Sequence, residues 1–251
     1  LDEIDETIVL HYEVYLRLRG IAMNTSSFYM RILRAAYNKA VEKGLVEQRH
    51  PFRQVYTGVD KTAKRAITLR QVRLVKNLDL SDNRDLAFAR DMFLFSFYTR
   101  GMSLIDMAFL TADNLYNGRL TYTRRKTGQL LSIRWERCMQ EIVDRYHVKG
   151  ARYLLPLIER EGVDERQQYK TRSVWLCNKL KRIGQIIKFD APLTMYVARH
   201  SWASIARASH IPISVISEGM GHDSELTTQI YLSSFNYLEI DKANKRILNM
   251  L

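Results

Sequence analysis

The chain has 251 residues, a hydrophobic fraction of 46% and 39 Lys+Arg against 27 Asp+Glu, leaving a formal charge of +12. That length can bury a substantial core in one large domain or two ordinary ones, and the charge points to a polyanionic partner, nucleic acid before membrane. Two cysteines, Cys138 and Cys177, without CxxC spacing, support neither a disulfide framework nor a cysteine zinc site; with no apolar run long enough to span a membrane, a cytoplasmic setting is expected.

In chain order, residues 4–18 predict an amphipathic helix through Ile4, Ile8, Val9, Tyr12, Tyr15 and Leu16, ended by Gly20. The chain opens inside this helix without Met, so a missing N-terminal segment is expected. A second helix starts at an Asn24/Thr25 cap, carries Tyr29, Ile32, Leu33, Ala36, Tyr37 and Val41 along one stripe, and ends at Gly44. An extended connection around Pro51 and Gly58 leads to a short helix, TLRQVRLVKNL. The domain boundary is placed after residue 78, giving a helical unit 1–78 and a larger unit 79–251. Ser81 is expected to cap a buried helix, DNRDLAFARDMFLFSFYTRG, and Ser103 to open LIDMAFL. The period then changes to alternation: Asn117-Gly118, Leu120/Tyr122, Lys126-Thr127-Gly128 and Leu131/Ile133 predict a small antiparallel sheet with two turns. Everything after Ile133 is predicted helical, so the fold class is mainly α (α+β).

The sequence lacks a GxxxxGK[ST] loop, a GxGxxG fingerprint and HExxH. SDN (81–83) and KTG (126–128) look like penicillin-binding signatures, but there is no SxxK to supply their serine, so they read as a cap and a turn. Metal-free chemistry on a phosphodiester needs a nucleophile, cations for the charge on the non-bridging oxygens, and a proton donor for the leaving oxygen. Tyrosine can be the first, arginine the second through its planar fork, histidine or lysine the third. Residues 194–235 offer Arg199, His222 and Tyr231, with Lys126 on the hairpin turn as a further donor. His200, on a buried helix with Val197, Trp202 and Ile205, reads equally as a core histidine or a catalytic one. Three basic runs, 60–76, 119–137 and 169–182, supply candidate DNA contacts at Lys64, Arg65, Arg70, Arg73, Arg124, Arg125, Lys170 and Arg172.

The stretch ARHSWASIARASHIPISVISEGMGHDSELTTQIYL resembles the tyrosine recombinase (phage integrase) family, whose signature runs HxxRH, LGH, a short helix and a Tyr. The resemblance extends back through YTRRKTGQLLSI and YTRGMSLIDMAFL to a core-binding domain near 24–44, and the wording of FYTRGMS and RRKTGQ is similar to integrases and invertases of Bacteroidetes. It implies Arg199 as the second clamp arginine, His222 on the scissile phosphate, Lys126 as general acid and Tyr231 as nucleophile of a 3′-phosphotyrosyl intermediate, with no metal or cofactor. It also implies a DNA-embracing C-shaped clamp that works as a homotetramer on DNA, a monomer when free, and accessory DNA-bending proteins as possible partners. Two positions depart from the pattern. Tyr196 stands where the HxxR histidine belongs, and Ser103 where the first clamp arginine belongs, three residues before Asp106. Arg100 is the candidate substitute, on one face with Ser103 if a helix runs through 100–106. The final amphipathic segment, with Phe235, Leu238, Ile240, Ile247 and Leu248, reads as a subunit contact or as packing on its own domain. A type IB topoisomerase and a non-catalytic DNA-binding relative are the rival readings.

Overall fold

A computed structural model of the chain describes residues 3–60, 66–222, 224–231, 245 and 248, the side chains of residues 229–231 excepted. The chain divides into two compact units, Leu1–Ala63 and Lys64–Leu251.

In the first unit, α1 (Glu6–Leu18) starts where Asp5 accepts a hydrogen bond from Ile8 N (2.8 Å) and stops before Gly20, whose φ of +72° only glycine adopts at low cost. Its buried face is Val9, Glu13 and Leu16, one helical stripe. Glu13 tolerates burial because its carboxylate accepts Tyr56 N (3.0 Å) and pairs with Arg17 (3.2 Å). In α2 (Met23–Glu42) the buried positions are Ser26, Ser27, Met30, Tyr37 and Ala40, whereas Tyr29, Ile32 and Leu33 are exposed. The inward stripe is therefore rotated from the expected one. Nor does the expected cap form: the N-cap is Ala22, and the Asn24 amide instead pairs with both backbone groups of Asp60 (2.7 and 3.0 Å), tying the connection down. Phe52 and Val55 of that connection complete the small core around Tyr37.

The second unit is mainly helical with one small sheet, as the sequence predicts. It opens with α3 (Leu69–Asn77), started by a Thr68/Gln71 capping box, which buries Val72 and Val75 in the core of this unit. The sequence reading groups this helix with the residues before it; by packing it sides with those after it. At the centre lies α4 (Arg84–Tyr98), with Ala89, Met92, Phe93 and Phe95 fully buried. Its cap is Asn83, which accepts Leu86 N (3.0 Å), not Ser81, whose own N–H is taken by Asp79 in the preceding turn (3.1 Å). Ser103 does cap α5 (Leu104–Ala108). Strands β1 (Leu115–Tyr116), β2 (Arg119–Thr123) and β3 (Leu130–Arg134) form an antiparallel sheet in that order, with Leu120 opposite Ile133 and Tyr122 opposite Leu131 on its buried face. Asn117 (φ +48°) and Gly118 (φ +68°) make the first turn. Among the described residues five helices follow: α6 (Arg137–Tyr146), α7 (Glu165–Ile186), α8 (Met195–Ala208), α9 (Ile213–Met220) and α10 (Glu225–Tyr231). Helices α7 and α8 pack on α4, and α9 and α10 on α8, so the ends of α4, α8 and α9 converge on the tip of the β2–β3 hairpin. The expected helix at 235–251 lies outside the described residues.

Candidate active site

The convergence is organised by Arg199. Its side chain leaves α8 into a space open only because residue 101 is glycine: a Cβ there would stand 2.6 Å from Arg199 Cα. The buried guanidinium donates from Nη1 to Gly101 O (2.9 Å) and from Nη2 to Met220 O (2.7 Å), and Nη2 meets His222 Nε2 at 2.8 Å. Arginine has only donors, so Nε2 must accept. The proton of His222 therefore sits on Nδ1, which donates to Thr228 Oγ1 at 2.7 Å. Burial first, then the charges of Arg199, Arg124 and Lys126, pull the imidazole down from 6.5 to about 4, so the free protein holds it neutral at physiological pH.

The unfolded chain takes up a proton near pH 6.5 that the folded site refuses until about pH 4, so His222 costs nothing above pH 6.5 and progressively destabilises the fold between those values. The limiting slope is about 1.4 kcal/mol per pH unit. Melting temperature measured from pH 7 to 4 is expected to fall less steeply in His222→Gln than in the wild type; parallel curves would contradict the assignment.

The hairpin contributes the next cations. Arg124 continues the alternation of Leu120 and Tyr122, so its side chain points inward, is 6% exposed and donates to Gly221 O. Its backbone closes the turn, with Arg124 N on Gln129 O and Gly128 N on Arg124 O (both 2.8 Å), leaving Lys126 exposed at the tip. Buried Asp106 fixes the turn to α5, accepting Ser103 OH (2.5 Å) on one carboxylate oxygen and Arg125 N (3.0 Å) on the other, while the Arg125 guanidinium lies 3.8 Å over Phe109. Gly221 ends α9 in the left-handed conformation (φ +64°).

No helix runs through 100–106. Arg100 (φ +59°) and Gly101 (φ +77°) turn the chain left-handed after α4, and Ser103 is occupied as a cap. Arg100 nonetheless reaches the same place by a different path: its Cδ and Nη1 lie 3.7 and 4.0 Å from where a Gly219 side chain would begin, two and three residues before Gly221 and His222. Tyr196 is 54% exposed and sets its ring edge-on to His200 at 4.4 Å, on the turn of α8 that leads into Arg199. Tyr231 is the last residue of α10; its side chain lies outside the described residues, as do Lys64 and Arg65. Of the other expected DNA contacts, Arg70, Arg73 and Lys170 are exposed, whereas Arg172 pairs with Glu159 and lies 5.2 Å over Trp175. Sequence reasoning placed Arg124 on a DNA-facing surface and passed over Thr228 and Gly101.

Arg199, Arg124 and Lys126 thus gather around one neutral imidazole, with Arg100 beside Gly219, a field suited to an anion with several oxygens. Tyr122 sits among them, but burial first and then Asp106 raise its phenol well above the ordinary range, so it stays protonated and unreactive. Among the described residues no cluster of three or more His, Cys, Asp or Glu could hold a metal, and no helix is long and apolar enough to cross a membrane.

Comparison with known proteins bears on this constellation. Residues 1–55 match the phage integrase SAM-like domain. The tyrosine recombinase XerD of Halalkalibacterium halodurans is 23% identical over 237 residues, which is 91% of this chain and 77% of that one. The chain is thus similar to a tyrosine recombinase over most of its length and to the phage integrase SAM-like domain at its start. Solved structures share its fold: a Tn1549 transposon integrase in complex with a circular intermediate DNA (TM-score 0.71, 14% identity, 98% of this chain and 86% of that one) and a lambda integrase dimer bound to a COC′ core site (0.71, 14%, 92% and 80%). A lambda integrase tetramer bound to a Holliday junction is also similar (0.69, 17%, 96% and 68%).

Proposed function

We propose that the chain is a site-specific DNA recombinase that cleaves and rejoins DNA through a 3′-phosphotyrosyl intermediate, for integration, excision or inversion. The observation that carries this reading is the convergence of Arg199, Arg124 and Lys126 on His222, with Arg100 beside Gly219 in the preceding helix and Tyr231 one short helix away. In the first step the Tyr231 oxygen forms a bond to phosphorus and the bond from phosphorus to the 5′ oxygen breaks. Lys126 protonates the departing 5′ oxygen, and the phenolic proton passes to solvent or a neighbouring base. Arg199 and Arg100 hold the non-bridging oxygens, and His222 contacts the same phosphate. An incoming 5′ hydroxyl reverses the step on a new partner strand. One phosphodiester is exchanged for another of similar energy, so no nucleotide is consumed. The first unit, residues 1–63, acts as the core-binding domain; exposed Arg70, Arg73 and Lys170 contribute phosphate contacts that weaken with salt. The working assembly is a homotetramer on double-stranded DNA.

The test is covalent trapping. Binding-selected duplexes are rebuilt as nicked suicide substrates and incubated in chelator with wild type, Tyr231→Phe and Arg100→Ala. The expected result is a wild-type adduct, none with Tyr231→Phe, and one formed roughly 10²–10³-fold more slowly with Arg100→Ala, as for loss of one preorganised transition-state donor. Joined products from two different duplexes would distinguish strand exchange from relaxation alone. A duplex that binds yet yields no adduct would overturn the proposal.

A further inference from the structure

The contact between His222 and Thr228 serves a role that the phosphate chemistry above leaves unassigned. Thr228 is wholly buried on α10, six residues after His222, and that helix runs three residues further to Tyr231. Its hydroxyl meets Nδ1 at 2.7 Å while Arg199 donates to Nε2 from the opposite side at 2.8 Å. The imidazole is therefore gripped at both nitrogens. We infer that Thr228 is a positioning residue of this site: its hydroxyl sets the tautomer and orientation of His222 and docks the helix that ends on Tyr231. The inference rests on the proposed function for its catalytic consequence, but the tautomer it assigns belongs to the free protein.

A neutral imidazole has one N–H, and its position is decided by what the two nitrogens face. With a donor-only guanidinium at Nε2, a proton on that nitrogen would face an N–H head-on, so the proton belongs on Nδ1 and needs an acceptor there. Thr228 Oγ1 is that acceptor. It remains suitable when a phosphate anion arrives, because an imidazolium protonated at Nε2 keeps its Nδ1–H and the same bond. Valine has the shape of threonine without the hydroxyl. In Thr228→Val the Nδ1–H loses this acceptor, and α10 loses a polar anchor to the site.

Thr228→Val is expected to slow adduct formation on the suicide duplex by about tenfold, the equivalent of one net hydrogen bond, with unchanged DNA affinity; Thr228→Ser should stay within about threefold of wild type. In a His222→Ala background, Thr228→Val should slow the reaction much less than tenfold, because the partner through which it acts is gone. ¹⁵N NMR of histidine-labelled protein, with the His222 signals identified by their loss in His222→Gln, reads the tautomer without any DNA. The expected wild-type pattern is a protonated Nδ1 and an unprotonated Nε2 at pH 7, lost or mixed in Thr228→Val. An Nε2–H tautomer in the wild type, an undiminished Thr228→Val rate, or a full additional loss in the His222→Ala background would each overturn the inference. Absence of any wild-type adduct would strike at the recombinase reading instead, and the NMR result would still decide the tautomer.

Discussion

Arg199→Ala is expected to reduce covalent adduct formation by at least roughly 10²–10³-fold while leaving DNA binding within a few-fold of wild type. The guanidinium does two things that no neighbour can take over. It presents fixed positive charge in a site from which water is largely excluded, where a donor aimed at developing phosphate charge is worth most. It also links three elements, reaching Gly101 O after α4, Met220 O at the end of α9 and His222 Nε2. Removal therefore takes the Arg199 donor from two buried carbonyls, at a cost on the order of 1–3 kcal/mol for each that water cannot reach, and from His222 Nε2. Urea denaturation should register this as lower stability. With Arg199 gone, burial still depresses His222 but one neighbouring cation no longer does, so its pKa should rise toward the ordinary value. Arg199→Lys separates the two contributions: an ammonium restores charge but lacks the planar fork, so it should recover stability better than rate. A lysine variant with wild-type rate, or an alanine variant within threefold of it, would show that the clamp lies elsewhere.

The parts of this site that could be read from the sequence are those where local pattern and chemistry coincide. The hairpin was legible because Asn117-Gly118 and the alternation of Leu120, Tyr122, Leu131 and Ile133 both require it, and its tip then carries Lys126. The order of Arg199, His222 and Tyr231 was legible because each residue type has a distinct task in phosphodiester chemistry. Arg124 was misjudged as surface because it stands in a basic run, although the same alternation, continued two residues beyond Tyr122, already aims it inward. Helix α2 was misjudged because it carries two apolar stripes, Tyr29/Ile32/Leu33 and Met30/Tyr37, and spacing cannot tell which one the neighbouring connection covers. SDN offered three capping residues in a row, and only the packing of α4 selected Asn83. Thr228 was not legible at all, since a hydroxyl that matters through one imidazole nitrogen leaves no periodic trace. Arg100 was nominated on the wrong geometry: the expected helix is replaced by a left-handed turn that delivers the same side chain to the edge of Gly219.

That turn carries the second large expected effect, in Gly101→Ala. The substitution meets two independent obstacles. At φ +77° an L-residue is disfavoured by roughly 1–2 kcal/mol, and the added methyl would stand 2.6 Å from Arg199 Cα and 2.7 Å from its Cβ and Cγ. These atoms belong to the backbone and stem of α8, which is packed on α4, so they cannot swing aside as a side-chain tip would. Overpacking of this kind adds about 1–3 kcal/mol. The expected outcome is a loss of roughly 2–5 kcal/mol in unfolding free energy, accompanied by loss of adduct formation, because relief of the clash displaces Arg199 and the carbonyl it donates to. Gly118→Ala provides the control: φ there is +68°, yet nothing lies within 4 Å of the added methyl, so only the conformational penalty of roughly 1–2 kcal/mol should appear, with the rate preserved. If the two variants proved equally stable and equally active, the glycine would be serving the turn alone. If Gly101→Ala lost far more than Gly118→Ala in both stability and rate, the absence of a side chain at residue 101 would be part of how the site holds its arginine.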